Sequence, residues 1–166
     1  MKFFRSPKTL WLVIATSVLL SACGLRLRGD YLLPPELQTL YVSSIDKHGE
    51  ITRLFKQQLA QNNVTVLKTF DRTKPEIRII RDRLDRRNLS VFSNGQVAEY
   101  ELIYTVQYQL HRDNYDPVDF QFEVNRDYQD DPSVALAKSR ELNLILSEMR
   151  KTAVDRMIRD IATIQL

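Results

Sequence analysis

Residues 89–110, LSVFSNGQVAEYELIYTVQYQL, decide the fold. Asn94-Gly95 is the strongest short-range hairpin signal available to a sequence. It predicts a type I′ turn, with positive φ at both central residues. Ahead of the turn, Leu89 and Val91 alternate with Ser90 and Phe92. Beyond it, Tyr100, Leu102, Tyr104, Val106, Tyr108 and Leu110 share one face, and Glu99, Glu101, Ile103, Thr105, Gln107 and Gln109 share the other. Period two over this length predicts a half-buried antiparallel strand at the centre of a sheet.

Working outward, residues 111–117 read as a turn through Asp113-Asn114 and Asp116-Pro117. Val118, Phe120, Phe122 and Val124 then alternate with polar residues as a second amphipathic strand. Asp131-Pro132 supplies an N-cap residue and a proline at the first helical position. Leu142, Ile145, Met149, Ala153, Met157, Ile161 and Ile164 step by three or four, predicting a closing helix over about residues 132–164 with one continuous apolar stripe. Upstream, Ile77, Ile79 and Ile80 open a strand that becomes charge-rich, with four acids and seven bases between Asp71 and Arg87. That run reads either as a solvated, salt-bridged strand face or as a basic strip for anionic ligands such as phosphates. Residues 38–44 and 64–68 read as strands flanking a helix over 49–62, whose inner face carries Ile51, Leu54, Phe55, Gln58 and Leu59. Parallel pairing of those two strands would make a β-α-β unit.

The amino-terminal segment reads separately from the domain. Lys2, Arg5 and Lys8 precede an apolar run over residues 10–20, as in a secretory signal peptide. Leu20-Ser21-Ala22-Cys23 resembles the lipobox of bacterial lipoprotein precursors. That resemblance implies cleavage after residue 22 and acylation of Cys23. A single cysteine in an exported chain has no intramolecular partner, and lipid attachment gives it a role. Gly24, rather than Asp, implies sorting to the outer membrane by the same resemblance. Residues 23–36 form an expected lipidated tether, in which Arg26 and Arg28 read equally as contacts to anionic headgroups or as solvated linker residues. Residues 37–166 form the expected domain. The signal carries three of the 24 basic residues and none of the 21 acidic ones, so the mature chain is balanced. The basic character of the whole is no argument for nucleic acid.

No catalytic constellation is legible. His48 and His111 fall in expected turns without metal-ligand spacing, the four glycines are scattered, and no G-x-S-x-G motif occurs. The reading is therefore not an enzyme, with no metal and no cofactor beyond the lipid on Cys23. The stripe of Tyr100, Tyr104, Tyr108, Phe120 and Phe122 reads as core, with a partner-docking surface as the alternative.

Three stretches in this order carry a family resemblance: CGLRLRG at 23–29, SVFSNGQVAEY at 90–100, and ALAK at 135–138 opening the long final helix. Together they resemble the lipopolysaccharide-assembly lipoprotein family LptE. The resemblance implies an α+β single domain, with an about four-stranded, mostly antiparallel sheet and two helices packed on it. It implies a lipid-anchored outer-membrane protein on the periplasmic side that plugs the lumen of the LptD β-barrel in a one-to-one complex. Such a protein assists barrel assembly and helps deliver lipopolysaccharide to the outer leaflet. It further implies binding of lipid A phosphates by basic residues near the hairpin tip (Ser93, Asn94, Gly95) and at the start of the final helix, where Lys138 matches. At the tip this chain departs from the pattern, carrying Ser93 where the family often has a basic residue. Arg86 or Arg87 on the adjoining strand is the expected substitute. Two alternatives stay open: a purely structural barrel-assembly lipoprotein that binds no glycolipid, and a free periplasmic lipid-binding lipoprotein.

Overall fold

A computed structural model describes residues 33–164. The expected signal segment, Cys23 and residues 23–32 of the expected tether lie outside the described residues. Seven elements follow a short 3-10 turn at Pro35–Leu37: β1 (Thr39–Ser44), α1 (Glu50–Gln61), β2 (Thr65–Leu67), β3 (Glu76–Val91), β4 (Val97–Arg112), β5 (Tyr115–Gln129) and α2 (Ala135–Ala162). The strands form one mixed sheet in the order β2-β1-β3-β4-β5. β1 pairs in parallel with β2 and with β3, so residues 39–67 are the β-α-β unit expected from sequence. β3, β4 and β5 form an antiparallel meander. There are five strands where the family resemblance implied about four. One of the five is β2, a three-residue edge strand within the strand read from residues 64–68.

One core lies between the sheet and the two helices. Leu102, Tyr104, Val106, Tyr108 and Leu110 of β4 are all essentially fully buried, on the face that the alternation assigned to the interior. α1 contributes Ile51, Phe55 and Leu59 to the same core, and α2 adds Met149, Ala153, Val154, Met157, Ile158 and Ile161. The expected stripe on α2 is therefore only half a core. Ahead of Met149, Leu142, Ile145 and Leu146 are partly buried, while Leu136 and Leu144 stand 73% and 62% exposed. The aromatic stripe is core: Tyr108 stacks on Phe120 with centroids 4.7 Å apart and meets Phe122 edge-on.

The central hairpin exists but its turn differs from expectation. Asn94 is not in the left-handed region: only Asn63 and Asn114 are, among the described non-glycine residues, and Gly95 has φ 84°. Gly95 N–H donates to Phe92 O (2.9 Å), and Phe92 N–H donates to Gln96 O (2.8 Å). This is a three-residue loop closed by a left-handed glycine, rather than a two-residue type I′ turn. The Asn94 carboxamide folds back on Gln96, accepting from its N–H at 3.0 Å, which replaces the need for a second left-handed residue.

The second hairpin is tighter than expected. β4 continues through His111 to Arg112, and β5 begins at Tyr115, so only Asp113 and Asn114 (φ 61°) form the turn. Pro117 sits inside β5 near the register shift between Leu110 and Arg112. It is tolerated there because β5 is an edge strand, and a missing donor need break no ladder bond. Beyond β5, the Asp131 carboxylate caps a 3-10 turn at Pro132–Val134 by accepting from Ser133 N–H at 2.9 Å, and α2 proper begins only at Ala135, without a side-chain cap.

Candidate functional site

β3 and β4 are each 16 residues long. At about 3.3 Å per residue they reach roughly 50 Å, further than the core beneath them. The outer half of the hairpin, the end of β5 and the first turns of α2 thus form an arm in which the core thins to Leu102 and Tyr128 with partly buried neighbours. Cross-strand register places Arg86, Leu102 and Arg126 in one row of this arm, and Asn88, Tyr100 and Tyr128 in the next. Directly opposed residues share a sheet face, and Leu102 fixes this one as the helix-covered face.

Lys138, near the start of α2, comes down onto that face. Its ammonium lies 5.1 Å from the centre of the Tyr128 ring and 2.9 Å from a Glu141 carboxylate oxygen. The Tyr128 hydroxyl donates to the Lys138 carbonyl at 3.0 Å. The bond to Glu141 raises the Lys138 pKa above its ordinary value, so the residue stays cationic at neutral pH. Arg86 stands 5.8 Å from the centre of the Tyr100 ring. The structure therefore brings two of the expected residues, Arg86 and Lys138, to one face around a pair of tyrosines.

It separates the others. Arg87 projects from the opposite sheet face, as consecutive strand residues must, and is ion-paired with Glu101. Ser93, Asn94 and Gly95 form the exposed tip, about 15 Å further along the strand than Asn88 at the usual rise. Sequence reading missed Arg126 and Tyr128. Both continue the period-two pattern of Phe122 and Val124, which would have found them had the strand been followed past residue 124.

Two buried tyrosines of β4 have polar partners within the core. The Tyr104 hydroxyl donates to Asp82 at 2.6 Å, and the Arg150 guanidinium lies 6.0 Å from that ring while pairing with Glu50 of α1. Tyr108 donates to Asp160 at 3.3 Å. Burial first, then the neighbouring carboxylates, push both phenols far above the ordinary tyrosine range. A raised folded value leaves stability complete below the unfolded pKa and removes it as pH rises beyond that. Above about pH 10 stability should therefore fall by up to about 2.7 kcal/mol per pH unit from this pair. Urea unfolding across that range checks it. Tyr104→Phe should remove about half of the slope.

Among the described residues no cluster of His, Cys, Asp or Glu could hold a metal ion, and no helix is long and apolar enough to cross a membrane. The molecule at this level is an α+β domain: a sheet-and-helix base extended by an arm with paired tyrosines and cations at its root. The family described as "LptE: Lipopolysaccharide-assembly" matches residues 37–161. The chain is 35% identical over 159 residues to the LPS-assembly lipoprotein LptE of Yersinia enterocolitica, covering 95% of this chain and 77% of that protein. It is 36% identical to the LptE of Yersinia pestis over the same shares. Among solved structures, rare lipoprotein B from Shewanella oneidensis is 42% identical and superposes with a TM-score of 0.69, over 75% of this chain and 94% of that one. Lipoprotein B from Nitrosomonas europaea, 22% identical, shares the fold with a TM-score of 0.68 over 84% of this chain and 90% of that one. The chain belongs to the LptE family of lipopolysaccharide-assembly lipoproteins.

Proposed function

We propose that this protein is a non-enzymatic outer-membrane lipoprotein, anchored through Cys23, that inserts its arm into the lumen of an LptD-type β-barrel. There it assists barrel assembly and takes part in delivering lipopolysaccharide to the outer leaflet. The observation that carries this reading is the arm itself. It exposes Leu89, Val91 and Phe92 on the hairpin, Val134 just ahead of α2, and Leu136 and Leu144 on α2, so its apolar residues face a surface outside the chain. Its sheet face turned away from the helices is polar, with cross-strand pairs such as Asn125 to Glu101 at 3.1 Å. A barrel of roughly 16 strands or more has a polar lumen wide enough to admit such a plug.

Within this reading Arg86 and Lys138 meet lipid A phosphates, with Arg126 in the same row. The tip carries no cation of its own, since Ser93, Asn94 and Gly95 are neutral. A second reading draws on the contacts of Lys138: its bond to Glu141 and its seat on Tyr128 describe a structural lysine in a purely structural assembly lipoprotein.

Co-expression with the cognate barrel tests the plug. A tagged chain should co-purify with the barrel one-to-one through detergent washes. A folded, soluble Cys23→Ala chain that captures no barrel would overturn the reading.

A further inference from the structure

An arm that enters its barrel from the periplasmic side leaves the opposite end of the sheet at the periplasmic mouth. There the loop before β3 and the Asp113-Asn114 turn enclose an open cleft of about 330 Å³. Its charges do not cancel. Of the two carboxylates in its lining, Glu76 pairs with Arg78 at 3.2 Å and Asp113 lies 3.8 Å from Arg72. Two further cations of the lining, Lys74 and Arg112, have no ion pair among the described residues. Lys74 feels Asp71 only through space, and that carboxylate is bonded to Thr73. Arg112 lies over the Tyr115 ring at 4.5 Å, and its buried Nε has no hydrogen-bond partner among the described residues. Beside these cations the rings of Phe70 and Tyr115 stand 59% and 67% exposed. Uncommitted cations next to large rings left in water suit a ligand with phosphate at one end and acyl chains at the other.

We infer that this cleft is a second lipopolysaccharide site, which takes the phosphates and acyl roots of lipid A as the glycolipid reaches the mouth from the periplasm. The inference rests on the reading of the chain as a plug that takes part in lipopolysaccharide delivery. Delivery to the outer leaflet starts from the periplasm, so the cargo meets this end of the sheet before it meets Arg86 and Lys138. The tether keeps the cleft within reach of the mouth. Glu36, three residues after the first described residue, lines an adjoining hollow together with Lys74, Arg112 and Tyr115. Ten peptide steps separate Leu33 from Cys23, a reach of at most about 35 Å. Ten residues of β3 separate Glu76 from Arg86, on the order of 30 Å along the strand. The phosphates of one disaccharide headgroup cannot bridge that distance, so the two sites are independent and one chain holds two molecules. Glu36 tempers the positive charge beside the cleft, which suits a site that must release its ligand onward.

Hydrogen exchange of the full lipidated chain in non-ionic detergent, with and without added lipid A, tests the cleft. Segments 70–74 and 112–116 should exchange about fivefold more slowly when lipid A is present. Arg86→Glu with Lys138→Glu should leave that protection in place while removing protection around Tyr128. Lys74→Glu with Arg112→Glu should abolish it, and Lys74→Gln with Arg112→Gln should reduce it. Dephosphorylated lipid A should give none. Unchanged exchange at these segments in a chain whose arm is protected sinks the cleft alone, as does full protection in the charge-reversed variant. Absence of protection at both ends removes the lipopolysaccharide reading and the inference with it. Equal protection by phosphatidylglycerol or by inorganic phosphate would reassign the cleft to an ordinary phospholipid or a free anion, and equally overturn it.

Discussion

Reversing Arg86 and Lys138 together, as Arg86→Glu with Lys138→Glu, is expected to weaken lipopolysaccharide binding by about 100-fold or more. Each charge-assisted contact to a phosphate contributes about 1.5–3 kcal/mol, and the two together reach that factor. Folding should survive. The Lys138–Glu141 pair is a helix-surface pair three residues apart, a type that contributes little to stability. Arg86 is exposed, so the melting temperature should move by no more than about a few degrees. Arg87→Glu is the internal control. Its side chain leaves the opposite face to pair with Glu101, and its reversal should leave binding unchanged. Binding measured on immobilised lipopolysaccharide decides the matter. Full retention in the double variant would assign Lys138 to structure alone and favour the assembly-only reading.

The second large effect separates the base of the molecule from its arm. Phe55→Ala is expected to cost about 3–5 kcal/mol of folding stability and to lower the melting temperature by about 10 °C or more. Its ring has no exposure and sits where α1 closes over the sheet. Leu144→Ala removes as apolar a side chain from α2, yet that residue is 62% exposed and the change should stay within about 0.5 kcal/mol. In the complex with the barrel the order inverts. Truncating Leu144 should loosen the assembly by about 1 kcal/mol or more if it is an interface anchor. Thermal unfolding of the free chain and detergent stability of the complex measure the two halves.

The two residues also show how legibility varied along the chain. Phe55 could be assigned to the interior from spacing alone, because Ile51, Phe55 and Leu59 fall on one side of a 3.6-residue helix. Leu144 and Leu136 could not be assigned, because nothing local distinguishes an apolar residue that meets its own core from one that awaits a partner. The stripe on α2 looked continuous from Leu142 to Ile164, yet burial begins in earnest at Met149. What ends the core is the footprint of α1, which lies some 70 residues or more away in sequence.

The candidate site divides in the same way. Lys138 and Arg86 were nameable from a family motif and from a basic strand. Their meeting on one face, and the exclusion of Arg87, depended on a register shift between Ile79 and Arg81. That bulge sets which parity of β3 faces the helices from Asp82 onward. Alternation through Ile77, Ile79 and Ile80 carries no information about an inserted residue, so the sequence offered Arg86 and Arg87 as equals. The turn at Gly95 followed the same logic. Asn-Gly announced a hairpin, but loop length was set by how the 16-residue strands pair on either side of it.

By itself, then, the amino-acid sequence determined the elements and the inward faces of α1, β4 and β5, since helix and strand periods are local properties of the backbone. It also carried the family, through motifs at fixed spacing. Tertiary structure alone decided where the core stops, which charged residues share a face, and that the two ends of one long sheet differ. At one end an arm projects with paired tyrosines and cations. At the other a basic, aromatic cleft lies open beside the point where the described chain begins. These are consequences of register and packing between segments distant in sequence, and no local pattern encodes them.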